Sequence, residues 1–172
     1  MATSLDYSNP VHILQMAREN EVQTLEFYLR VQERTHSQSA RQMYSSLARE
    51  EAAHVRLIER QMVALQESGV WADWQLESQA AITPRIDPAE LPAKVQEVEA
   101  SAQPGDSELE ALGQGLRLEM NSYTFYADAA NKCTAPEACA MFNMLAQMER
   151  SHFELLYLEY ENLARHGPSG TT

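Results

Sequence analysis

Residues 47–57 read LAREEAAHVRL. Glu50 stands four positions before His54 and Glu51 three, so on a helix either acid can share a face with the imidazole. Sliding the sequence against itself by 98 positions decides between them, because the two halves then align without a gap. Glu51 falls on Glu149 and His54 on His152, while Glu50 falls on Met148. Glu51 is therefore read as the partner of His54, and Glu50 as a solvated neighbour. The same offset sets Glu21 on Glu119, Phe27-Tyr28 on Phe125-Tyr126, and Met43, Leu47, Ala48, Leu57 and Leu65 on identical residues. Glu19 and Glu26 find Arg117 and Thr124 and drop out. The chain reads as a duplicated two-helix unit.

Working outward, the first helix spans about 10–34, with Ser8 or Asn9 as cap and Pro10 in its first turn. The second spans about 39–67 and stops at Gly69. A third, capped by Asp106 or Ser107, runs to about Lys132, and a fourth, capped by Thr134 with Pro136 in its first turn, ends before HGPSG. Hairpin one thus covers about 10–67, hairpin two about 107–166, and residues 167–172 form a disordered tail to a single domain. The connection, about 68–106, holds Trp71, Trp74 and four prolines, and DPAELPAKVQEVEAS within it can form a short helix. A stretch that long is expected to do structural work, with the tryptophans anchoring it by packing.

Each helix aims an acid into its own apolar stripe. The stripes read Leu14, Ala17, Glu21, Leu25, Tyr28, then Met43, Leu47, Glu51, His54, Ile58, then Leu112, Leu116, Glu119, Tyr123, Tyr126, and finally Phe142, Leu145, Glu149, His152, Leu156. Both acids of the first hairpin lie 15 residues from the turn at His36, and both acids of the second lie 15 from Thr134. That sets each pair about 22 Å from its turn, level across the hairpin. Four carboxylates converging in one core are prohibitive unless a cation neutralises them, and no Lys or Arg recurs in the stripes. The bland alternative, two buried Glu–His pairs without metal, leaves the other acids with no counter-charge. Glu21, Glu51, His54, Glu119, Glu149 and His152 instead make a ligand set for two divalent ions, since a Glu plus a Glu-x-x-His from each half is the di-metal carboxylate pattern.

The motifs ENEVQTLEFY, EEAAH, EMNSYTFY and MERSH resemble the ferritin-like superfamily, closest to the rubrerythrin di-iron domain, over about residues 10–166 apart from the connection. The resemblance implies an all-α four-helix bundle of two hairpins joined by a long crossover, with those six residues as ligands of two metal ions. Iron is the first expectation, with manganese or a mixed pair open. Two departures stand out. The chain has no rubredoxin domain, and Ser122, with Thr24 its counterpart, occupies the place where that family carries an extra glutamate.

The implied activity is reaction with O2 or hydrogen peroxide, driven by an unidentified electron donor. Ferroxidase-type iron sequestration and a metal-bearing structural protein without turnover are the alternatives. Tyr28, Tyr123 and Tyr126 are the candidate neighbours of the ligands, with Tyr123 preferred in that role and the other two read as core aromatics. A homo-oligomer, most simply a dimer, is expected.

Composition bounds the rest. The 172 residues carry a net charge of −12, which disfavours nucleic acid and anionic membrane surfaces as partners. No apolar run reaches the roughly 20 residues of a membrane span, and no secretory signal is evident, so a cytoplasmic protein is expected. Cys133 and Cys139, the only cysteines, make no Cys-x-x-Cys pair and are expected to be free thiols in that compartment. His12, His36 and His166 read as surface residues, and AMFNMLAQM as pliable core.

Overall fold

The computed structural model describes residues 9–74, 84–102 and 107–166. Ser8, Asp106 and the tail 167–172 lie outside them. Helix α1 spans Pro10–Arg34 and is capped by Asn9, whose side chain accepts the His12 N–H at 3.2 Å. Helix α2 spans Gln38–Ser68. Ser37 caps its start, and Gly69 ends it at φ 69°, a left-handed conformation that glycine adopts without steric cost. A 3-10 turn at Pro88–Glu90 leads into the short helix α3, Leu91–Ser101, within the segment expected to form one. Helices α4, Ser107–Lys132, and α5, Pro136–His166, complete the bundle. At the start of α5 the Cys139 N–H donates to the Ala135 carbonyl, so Ala135 rather than Thr134 flanks the helix. There is no strand among the described residues.

The pairs α1–α2 and α4–α5 pack as hairpins, and α1 lies against α4. Their buried apolar residues form two clusters. One gathers Phe27, Tyr28, Tyr44, Leu47, Leu112, Leu116, Phe153 and Leu156 with Leu91, Val95 and Val98 of α3. The other gathers Ile13, Leu14, Ala17, Leu57, Ile58, Tyr126, Met141, Phe142 and Leu145. On every long helix the sequence passes from one cluster to the other through the expected acid: Ala17 to Phe27 across Glu21, Ala48 to Leu57 across Glu51, Leu116 to Tyr126 across Glu119, Ala146 to Phe153 across Glu149. The bundle is thus two apolar layers separated by one polar layer. The start of α1 and the end of α2 share a cluster with the turn between α4 and α5, so the connection after α2 has to travel the length of the bundle before α4 can begin.

That connection is tied down at both described ends. Gln61, fully buried, clasps Ala72 by donating to its carbonyl at 3.2 Å and accepting its N–H at 3.0 Å. Trp71 meets Phe142 edge-on at 6.4 Å, and the Trp74 indole N–H donates to the Glu137 carbonyl at 3.3 Å, so both tryptophans anchor the crossover. Further along, Glu154 accepts the backbone N–H groups of Arg85 and Ile86, while Arg150 donates to the Ile86 carbonyl. Val98, fully buried, seats α3 on α4 together with the close approach of Glu99 to Gly113.

The cysteines correct the expectation of free thiols: Cys133 and Cys139 are joined in a disulfide across the α4–α5 turn. One closes α4 and the other lies in the first turn of α5, which brings their Cα atoms to 5.7 Å, within bridging distance. No helix among the described residues is long and apolar enough to cross a membrane.

Candidate metal centre

All six repeated residues meet in the polar layer, and all are buried. They fall into two overlapping groups: Glu21, Glu51, His54 and Glu149, and Glu51, Glu119, Glu149 and His152. Within each group one potential donor atom per residue lies within 4.8 Å of all the others. Glu51 and Glu149, one from each hairpin, belong to both groups, whereas Glu21 and Glu119 each belong to one. The imidazoles stack at 5.6 Å and turn Nδ1 inward. His54 Nδ1 is 3.0 Å from Glu149, 3.2 Å from Glu51 and 3.4 Å from Glu21, and His152 Nδ1 is 2.9 Å from Glu51 and 3.6 Å from Glu119.

Closeness does not satisfy these groups. Both carboxylate oxygens of Glu51 and of Glu149, one of Glu119, and His152 Nδ1 are buried with no hydrogen-bond partner. Such atoms are rare in folded proteins and ask for a missing cation or water. The protonation pattern carries the same message. Burial pushes the Glu21 carboxyl from 4.5 up to about 8, and the charge on Glu51 adds to the effect. Burial also lifts Glu149 well above the carboxylate range, reinforced by Glu51, Glu21 and Glu119. Glu51 goes the other way: burial opposes its charge, but the adjacent imidazoliums, His152 first, outweigh burial and hold the carboxyl well below its usual range. Burial opposes the charge on both imidazoles too, yet the surrounding carboxylates hold them protonated well above the ordinary histidine value. The metal-free cluster therefore neutralises itself with protons, which a pair of divalent ions can replace. Four carboxylates and two imidazoles, facing one another in a buried layer with oxygens that lack hydrogen-bond partners, fit such a pair.

Among the tyrosines only the preference for Tyr123 needs a correction. Tyr28 on α1 donates its hydroxyl to Glu119 on α4, and Tyr126 on α4 donates to Glu21 on α1, both fully buried. They are core aromatics whose hydroxyls are satisfied by the cluster itself. Tyr123, preferred from sequence, is only half-buried and packs among apolar side chains of both clusters. The residues facing inward one turn beyond Glu21 and Glu119 are Thr24 and Ser122, not Leu25 and Tyr123. A step of three residues falls about 60° short of a full turn and a step of four about 40° beyond it, and here the three-residue step follows the bundle axis.

Glu50 needs another correction. It is not simply solvated: its Oε2 lies 3.1 Å from His152 Nε2, and its side chain keeps only 19% of its surface exposed. The signal available in the sequence was the mismatch itself, an acid before Glu51 and Met148 before Glu149. His12, His36 and His166 take no part in either group.

The family model described as Rubrerythrin matches residues 12–160. No curated protein and no solved structure matches the chain.

Proposed function

Because the chain belongs to the rubrerythrin family, we propose that its polar layer binds two iron ions and that the loaded centre reduces hydrogen peroxide or O2. The observation that carries this reading is that Glu51 and Glu149, buried and shared by both potential ligand groups, have no hydrogen-bond partner for any of their carboxylate oxygens. Glu21 and His54 would help hold one ion and Glu119 and His152 the other, while Glu51 and Glu149 belong to both groups. Bound there, iron supplies the two electrons that convert hydrogen peroxide, with two protons, to water.

The chain's own part is positioning and exclusion. Tyr28 and Tyr126 each occupy one oxygen of a terminal glutamate, leaving its other oxygen for metal. The two apolar layers keep bulk water from the carboxylates, which strengthens every charge interaction among them. We take the electrons to come from an unidentified donor and the working unit to be a homodimer, which native mass measurement checks.

Anaerobic loading with Fe(II) should give about two ions per chain, as the di-metal pattern requires. The loaded protein should consume peroxide steadily when a reductant is supplied, and Glu51→Ala should abolish that consumption. Binding of well under one ion per chain overturns the reading. Uptake far beyond two, in a large assembly, favours iron storage instead. We place this activity in the cytoplasm, where the Cys133–Cys139 bond is open to thiol exchange, and cell fractionation checks the location.

A further inference from the structure

The two halves of the cluster differ at one place. His152 Nε2 has an acceptor, Glu50 Oε2 at 3.1 Å. His54 Nε2 is buried and has none. The internal repeat puts Met148 where Glu50 stands in the other half, and Met148 is buried with no oxygen to offer. We propose that Glu50 is a positioning residue that accepts the Nε2 proton of His152, leaves Nδ1 free for metal, and so makes the His152 position the tighter of two unequal metal positions. This inference rests on the di-metal reading above.

A neutral imidazole carries one proton, and the hydrogen bond made by the outer nitrogen decides which nitrogen keeps it. In the productive form the proton sits on Nε2, because Nδ1 is the atom turned toward the carboxylates in both halves. At His152 the Glu50 carboxylate stabilises that form, locks the ring orientation and raises the basicity of Nδ1. At His54 the same form leaves a buried N–H unpaired, which works against it. Glu50 is a minor departure from the symmetry of the repeat by sequence, yet it touches one histidine only.

Anaerobic titration of the metal-free protein with Co(II), followed by visible absorption and by calorimetry, reads the two positions separately. The wild type should fill in two resolved steps at least tenfold apart in affinity. Glu50→Met, which copies the other half, should weaken the tighter step about 10–100-fold and merge the two, the range typical for loss of a ligand's hydrogen-bonding support. Glu50→Gln keeps an oxygen acceptor and should preserve two steps. Met148→Glu should strengthen the weaker step and leave the tighter one in place, so the inference does not hang on the stability of one variant. Two equal steps in the wild type, or equal weakening of both by Glu50→Met, overturn the assignment. If the wild type binds no Co(II), the metal reading itself fails and takes this inference with it. If Co(II) binds but the steps are equal, only this inference fails.

Discussion

Above and below the cluster, the four long helices meet through leucine, phenylalanine, tyrosine and methionine; at the cluster, they meet through carboxylates and imidazoles. The two kinds of layer are equally buried but not equally content. In the apolar layers every contact made on folding is already complete, and the metal-free chain owes its stability to them. In the polar layer seven buried donor or acceptor atoms lack hydrogen-bond partners, so folding alone leaves that layer unfinished. The difference teaches that here the site is a cost borne by the fold, carried by the layers around it and relieved by a ligand.

The sharpest way to separate the layers is to damage one of each. Leu14 is fully buried in the cluster at the start of α1, seven residues before Glu21. Leu14→Ala should lower unfolding free energy by about 2–5 kcal/mol, the usual result of opening a cavity among apolar side chains. Chemical denaturation measures the loss, and metal stoichiometry should stay unchanged. Glu149→Leu should do the reverse, eliminating metal uptake while costing the metal-free chain less than Leu14→Ala, because both Glu149 oxygens lack a hydrogen-bond partner and only the contact with His54 is lost. A Glu149→Leu variant that destabilises the metal-free chain as much as Leu14→Ala would break the comparison.

A pH series sharpens it without mutation. In the metal-free chain the Glu21 carboxyl titrates near 8, against 4.5 as its ordinary value. Between those values the folded state holds a proton that the unfolded state has released. The stability this contributes is complete below about 4.5 and is lost as pH rises through about 8. Glu149 and both histidines are shifted in the same direction and add to the fall. Thermal denaturation should therefore show the chelator-treated protein weakening from pH 5 to pH 8. The metal-loaded protein should strengthen over the same range, since its ligands must first shed those protons.

The polar layer was also the more legible of the two in sequence, for a physical reason. A buried acid violates the pattern of its own stripe, and a duplicated chain commits the same violation twice at a fixed offset, so Glu21, Glu51, Glu119 and Glu149 mark themselves. Helix limits came through as well, because Asn9, Pro10, Gly69 and Pro136 act on the local backbone. What did not come through depends on a partner from another helix. The repeat singles out what both halves share, so it discarded Glu50, whose role comes from being unmatched. Thr24 and Ser122 entered only through the family resemblance, because the apolar stripes followed a step of four to Leu25 and Tyr123. The clamp of Glu154 and Arg150 on residues 85 and 86 joins segments more than sixty positions apart and leaves no periodic trace. The Cys133–Cys139 bond was set aside by an argument about compartment that geometry overrode.

Tyr28 and Tyr126 belong to both kinds of layer and give the finest test. Each ring lies in an apolar cluster, Tyr28 in one and Tyr126 in the other, while each hydroxyl reaches a glutamate of the opposite hairpin. Replacing either by phenylalanine keeps the ring packing and removes only the hydroxyl. The expected loss in the metal-free chain is about 1 kcal/mol, that of a single buried hydrogen bond, and it should be nearly the same for Tyr28→Phe and Tyr126→Phe because the two bonds are related by the repeat. Parallel denaturation curves for the two variants measure it. Loaded with metal, both should lose less, because the carboxylate oxygen left unpaired then has a cation to turn to. A large difference between the two variants would mean that the asymmetry introduced by Glu50 reaches the terminal glutamates. Equal losses would confine it to the histidine that Glu50 touches.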